Sequence, residues 1–206
     1  MSNLLLPKSN FIHIPKCGGT LLCTALWRLQ LVKNKENEIL HPHYGHLFAS
    51  QMPENGKPCF TFVRNPVTWW QSFYHWNMRE NTGRFMQAER EAGSFDRWID
   101  EYGQFWLGLY TTLVKRYTGR DPHFPTSNKV ELIGRTEYLF KDLNMILNAL
   151  GESYHVPTMR QLLSNTYPFE AIHKNIQQYD RDAISPESRA IILKTEKYVT
   201  DMFGYK

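Results

Sequence analysis

Short apolar runs alternate with longer stretches whose apolar residues recur at helical spacing, and this alternation organises the chain. Phe11, Ile12 and Ile14 suit a buried strand over Asn10 to Ile14. Pro15-Lys16-Cys17-Gly18-Gly19-Thr20 breaks it, and Leu22, Ala25, Leu26 and Leu29 then predict a helix from Leu21 to Val32. The pattern returns at Cys59 to Val63, a β-favouring run, followed by Arg64-Asn65-Pro66 and a helical aromatic stretch through Trp76. It returns again at Val130 to Ile133, where Gly134-Arg135-Thr136 leads into a helix with Leu139, Leu143, Ile146, Leu147 and Leu150 on one face, ended by Gly151.

Strands alternating with helices predict an α/β fold, a mostly parallel central sheet flanked by helices. Between these units, Phe95, Trp98, Ile99, Tyr102, Phe105, Trp106 and Leu109 lie at helical spacing and are expected to pack a core. Ser185-Pro186-Glu187 reads as an N-cap followed by proline at the first helical position, opening a last helix with Ile191, Ile192, Thr195, Tyr198 and Met202.

A length of 206 residues with 42% hydrophobic and 21% charged content fits one domain over 1–206. The formal net charge of +4 favours anionic ligands but lacks the dense basic stripe of a nucleic-acid binder. Cys17, Cys23 and Cys59 have neither disulfide-framework nor metal-ligand spacing. With Met1 taken as the start, no apolar run is long enough for a leader or membrane anchor, so the expected location is the cytoplasm.

The glycine loop between the first strand and helix carries the clearest chemistry. Backbone N–H groups converging at such a loop make a nest for phosphate-like anions. Gly18 and Gly19 permit close approach, Thr20 adds a hydroxyl, and Lys16 adds a charge at the mouth. The element is P-loop-like, but its lysine precedes the glycines, unlike the nucleotide triphosphatase loop. His41, His43 and His46 lie between this loop and the second strand, and histidine titrates where a general base is needed. His-x-His-x-x-His is also a possible metal set, but no fitting carboxylate or cysteine is near, so no metal is expected.

Pro15-Lys16-Cys17-Gly18-Gly19-Thr20 after an apolar strand resembles the 5′-phosphosulfate loop of sulfotransferases that use 3′-phosphoadenosine 5′-phosphosulfate (PAPS). Phe60-Thr61-Phe62-Val63-Arg64-Asn65-Pro66, with Ser72 eight residues after Arg64, is similar to that family's 3′-phosphate motif. Ile133-Gly134-Arg135-Thr136-Glu137 and Asp201-Met202-Phe203-Gly204-Tyr205 extend the resemblance over most of the chain. Gly45-His46-Leu47-Phe48 resembles the base-bearing segment of the heparan 2-O-sulfotransferase branch.

The resemblance implies transfer of a sulfuryl group from PAPS to an acceptor hydroxyl, with a carbohydrate acceptor. It implies nucleotide contacts from Lys16, Cys17, Gly18, Gly19, Thr20, Leu21, Arg64, Ser72, Arg135 and Lys174, and His46 as base with His43 in reserve. Trp69, Trp70, Tyr74 and Trp76 are candidates for stacking on sugar faces. A nucleotide kinase or triphosphatase, or a nucleotide-binding module without turnover, are the alternatives.

Overall fold

The computed structural model describes residues 3–32, 38–39, 46–80, 87–164 and 184–206. The chain divides into two compact units, each drawn from two stretches of sequence: one holds the chain up to Val63 and the part that begins at Leu113, the other holds Arg64–Thr112 and the C-terminal helices.

The first unit is built on one sheet. Its strands are β1 (Asn3–Leu5), β2 (Asn10–Phe11), β3 (Glu38–Ile39), β4 (Cys59–Val63) and β5 (Val130–Arg135), in spatial order β3-β1-β2-β4-β5. β2, β4 and β5 pair in parallel, as the alternation predicts, with Phe11 opposite Phe60 and Thr61 opposite Ile133. β1 pairs antiparallel with β2 and with β3. β4 lies between two strands and every residue of it is buried, which is why it reads as an unbroken apolar run. Its one polar side chain, Thr61, donates to Ile12 O at 2.5 Å.

Helices α1 (Gly19–Arg28), α6 (Leu139–Ala149) and α7 (Val156–Leu163) supply the rest of that core. Leu22, Leu26, Leu143 and Leu147 meet Phe11, Phe60 and Phe62 there. Two strand boundaries differ from expectation, and α1 ends at Arg28 and not Val32. The first strand ends at Phe11, although Ile12 N–H still donates to Phe60 O at 2.9 Å. Gly134 and Arg135 continue β5 instead of turning. Gly134 is opposite Phe62, and a Cβ on it would stand 2.5 Å from the Phe62 ring. This glycine makes room for a ring; it does not make a turn.

The second unit is helical: α2 (Pro66–Glu80), α3 (Gln87–Arg90), α4 (Phe95–Trp106), α8 (Pro186–Thr195) and α9 (Lys197–Phe203), with the start of α5 (Leu109–Tyr117), which continues into the first unit. Asn65 caps α2, its Oδ1 accepting from Val67 N–H at 2.9 Å. Ser185 caps α8 as expected, accepting from Ser188 N–H at 3.1 Å. Trp69 stacks between Tyr110 and Phe73, at 4.5 and 5.2 Å between ring centres. Trp69, Trp70 and Tyr74 are core residues and not surface rings for sugars; Trp76 is half-buried.

Phe105 departs from the expected α4 face and is 72% exposed, since it lies at the edge of the stripe formed by Phe95, Trp98, Ile99 and Gly103. The C-terminal helix is two helices that meet at Glu196. Its buried residues are Ser188, Ile192, Glu196 and Val199, whereas Ile191 and Met202 are exposed. Among the described residues, no helix is long and apolar enough to cross a membrane.

Candidate functional site

The loop from β2 to α1 is shaped by two left-handed residues, Lys16 (φ 66) and Gly18 (φ 73). Gly18 is doubly constrained, because a Cβ there would also lie 2.9 Å from Leu139 Cδ1. Lysine tolerates this conformation poorly, so Lys16 is held in a strained backbone at the mouth of the loop. Cys17 N–H closes a turn on Ile14 O at 3.2 Å. α1 begins at Gly19, not Leu21, with no side-chain cap and no acidic residue in its first turn. Its N-terminal partial positive charge is therefore not masked by a carboxylate.

Beside this loop lies His13, only 2% exposed. A Cβ on Gly19 would stand 1.7 Å from His13 Nε2 and 2.2 Å from each of Cδ2 and Cε1. Equal distances that short put the Gly19 Cα–H over the face of the ring at Nε2. The other neighbour is His46, whose ring meets His13 edge to face at 4.5 Å between centres. Among the described residues, neither His13 ring nitrogen has a hydrogen-bond partner, nor does His46 Nδ1.

Burial pushes the His13 pKa well below the ordinary imidazole value, and the neighbouring charges of His46 and Lys16 push it further. Burial lowers that of His46 to about 4. Both imidazoles are neutral at neutral pH, so His46 has a nitrogen able to accept a proton.

Lys16, the glycine loop, Thr20, Leu21 and His46 thus belong to one unit, in which Gly19 and His46 both pack on His13. Arg135, at the end of β5 in the same unit, has its guanidinium 5.0 Å from the centre of the Tyr138 ring, and its backbone N–H donates to Asp142 Oδ2 at 2.8 Å. Arg64 and Ser72 belong to the second unit. The Tyr110 hydroxyl accepts from Arg64 N–H at 2.8 Å and pairs with Arg64 O at 2.9 Å, while Arg64 Nε donates to Thr68 Oγ1 at 3.0 Å. Thr68 and Ser72 lie four residues apart on one face of α2, and Arg64, just before the helix, reaches that face through Thr68. His43 and Lys174 lie outside the described residues. Among the described residues, no three His, Cys, Asp or Glu side chains gather where a metal could bind.

Three residues of this arrangement escape a sequence reading. Thr68 has a signal, its spacing of four from Arg64. His13 looks like strand, and Asn3 carries no signal at all. Comparison of the chain with family models, curated proteins and solved structures found no match.

Proposed function

We propose that this chain is a PAPS-dependent sulfotransferase acting on an acceptor hydroxyl, with a carbohydrate as the favoured acceptor class. The observation that carries the reading is the cluster of the Lys16 loop, His13 and His46: a neutral imidazole beside an uncapped, phosphate-loop-like helix start with a lysine at its mouth. An anion nest and a base in one place suit transfer of an anionic group to a hydroxyl. The lysine-first order of the resembled family, in place of the glycine-first triphosphatase order, favours sulfuryl transfer.

In this reading the acceptor oxygen forms a bond to sulfur as the bond from sulfur to the 5′-phosphate oxygen breaks. His46 takes the acceptor proton, and Lys16 with the N–H groups of Gly18 to Leu21 offsets the charge gathering on the departing phosphate. A pKa of about 4 makes His46 a weak base in the free protein. A bound anion beside it favours the imidazolium and raises its basicity when it is needed. Arg64 and Ser72 would take the 3′-phosphate, with Thr68 orienting the guanidinium through its Nε. Cys17, Cys23 and Cys59 have no disulfide-framework spacing, which favours a reducing compartment such as the cytoplasm.

Lys16→Ala tests the reading with radiolabelled PAPS and a panel of glycans, lipids and phenols. Turnover should fall by about 10²–10³-fold while the melting temperature holds. Unchanged turnover removes Lys16 from the chemistry. Stabilisation of the protein by magnesium-ATP, and not by metal-free adenosine 3′,5′-bisphosphate, would favour a kinase or triphosphatase instead.

A further inference from the structure

We propose that Asn3 and His13 are positioning residues for His46, holding its imidazole against the glycine loop from the sheet and not from its own segment.

The Asn3 side chain is fully buried on β1. Its Oδ1 accepts from His13 N–H at 2.8 Å, and its Nδ2 donates to Leu47 O at 2.8 Å. Leu47 directly follows His46, so one amide spans the two backbones that carry the two imidazoles and sets their separation. Only a short side chain with both a donor and an acceptor can make this bridge; aspartate lacks the donor and leucine lacks both. β1 itself is pinned on both sides, paired with β2 and with β3, so the amide has a rigid base.

His13 carries the positioning outward through its ring. Phe11 stacks on it at 6.2 Å, and the Gly19 Cα–H covers its face at Nε2. His46 meets it edge to face, an arrangement in which the positive edge of one ring faces the negative face of the other. The first residue of α1 and the imidazole of His46 are therefore referenced to one buried ring. Packing alone would be served by an apolar side chain, yet this position has an imidazole with both nitrogens unpartnered among the described residues. Buried polar groups left in this way concentrate where a site does chemistry. The charged groups that act on this pair are the N-terminal amino group, on both rings, and Lys16, on His13 from the loop side.

The inference rests on the reading of His46 as the base, but its geometric half can be checked without any transfer reaction. Imidazole NMR titrations of the full chain would compare the natural protein with Asn3→Ala, His13→Ala and His13→Phe. The natural His46 should titrate near 4. In Asn3→Ala and His13→Ala its midpoint should climb towards the ordinary imidazole value, and kcat for transfer from PAPS should fall by about tenfold or more with KM for PAPS little changed. His13→Phe, which restores a ring, should recover part of both.

Folded Asn3→Ala and His13→Ala variants with an unmoved His46 midpoint and unmoved kcat overturn the proposal. Should either fail to fold, the natural protein still decides: the His13 ring resonances must shift at the His46 midpoint and show cross-relaxation to the His46 ring, and their absence also overturns it. Absence of transfer by the natural protein, with these couplings present, would remove the sulfotransferase reading and leave the positioning of His46 supported.

Discussion

Each unit buries a titratable side chain in a different way. In the helical unit Glu196 is 0% exposed, and both of its carboxylate oxygens accept hydrogen bonds. Oε1 accepts from Trp70 Nε1 at 3.0 Å and Gly108 N–H at 2.9 Å, and Oε2 accepts from Thr111 N–H at 2.7 Å. The two backbone donors flank the start of α5, so the carboxylate caps that helix and complements its dipole while tying in α2. In the sheet unit both ring nitrogens of His13 and Nδ1 of the half-buried His46 are also withdrawn from water, yet these three find no partner among the described residues. Burial alone does not separate a structural polar group from a functional one, and Ser188 Oγ in the helical unit is also buried without a partner among the described residues; what marks the imidazole pair is its place beside the glycine loop.

That contrast makes quantitative predictions. Glu196→Ala should be the most damaging, because it strands the Trp70, Gly108 and Thr111 donors in a dry core. A loss of about 3–5 kcal/mol in urea unfolding is expected, with the His46 titration unmoved wherever the protein remains folded. A loss below ~1 kcal/mol would mean the cap is ornamental.

Gly19→Ala comes next. The new Cβ would fall 1.7 Å from His13 Nε2 and must drive the ring aside. Overpacking of this kind costs about 1–3 kcal/mol. Unlike Glu196→Ala, it should also raise the His46 midpoint and weaken binding of adenosine 3′,5′-bisphosphate by calorimetry. An effect on stability alone would show the loop and the imidazole pair to be uncoupled.

The gentlest probe is acid. Both histidines have pKa values below their unfolded value of about 6.5, so the unfolded chain binds protons that the folded one refuses. Their contribution is whole above that value, is lost as pH falls below it, and for His46 levels off near 4. Replacing His13 by phenylalanine should flatten this part of the stability curve, measured by urea midpoints between pH 7 and 4. An equally steep curve would place the titrating group elsewhere.

Much of this molecule is legible without coordinates. The β4 segment Cys59–Val63, the capped start at Ser185 and the face of α6 follow from local apolar spacing and turn chemistry, which are short-range. The loop around Lys16 is legible for the same reason, since glycines after a strand and before a helix have few other uses. Gly134 misleads, because a glycine that admits the Phe62 ring looks the same in sequence as one that turns the chain. Glu196 misleads more strongly: hydropathy places any glutamate on the surface, and only three donors from distant segments make its burial favourable.

The candidate site divides along the same line. Local order along the chain was sufficient for the three parallel strands and for the glycine turn between β2 and α1. The bridge from Asn3 to His13 and Leu47 joins residues separated by up to 44 positions, and the stacking of His13 under Gly19 depends on where a chain folds back on itself. Such contacts have no local signature, because hydrogen bonds and ring packing are satisfied in space, by whichever segment the fold delivers.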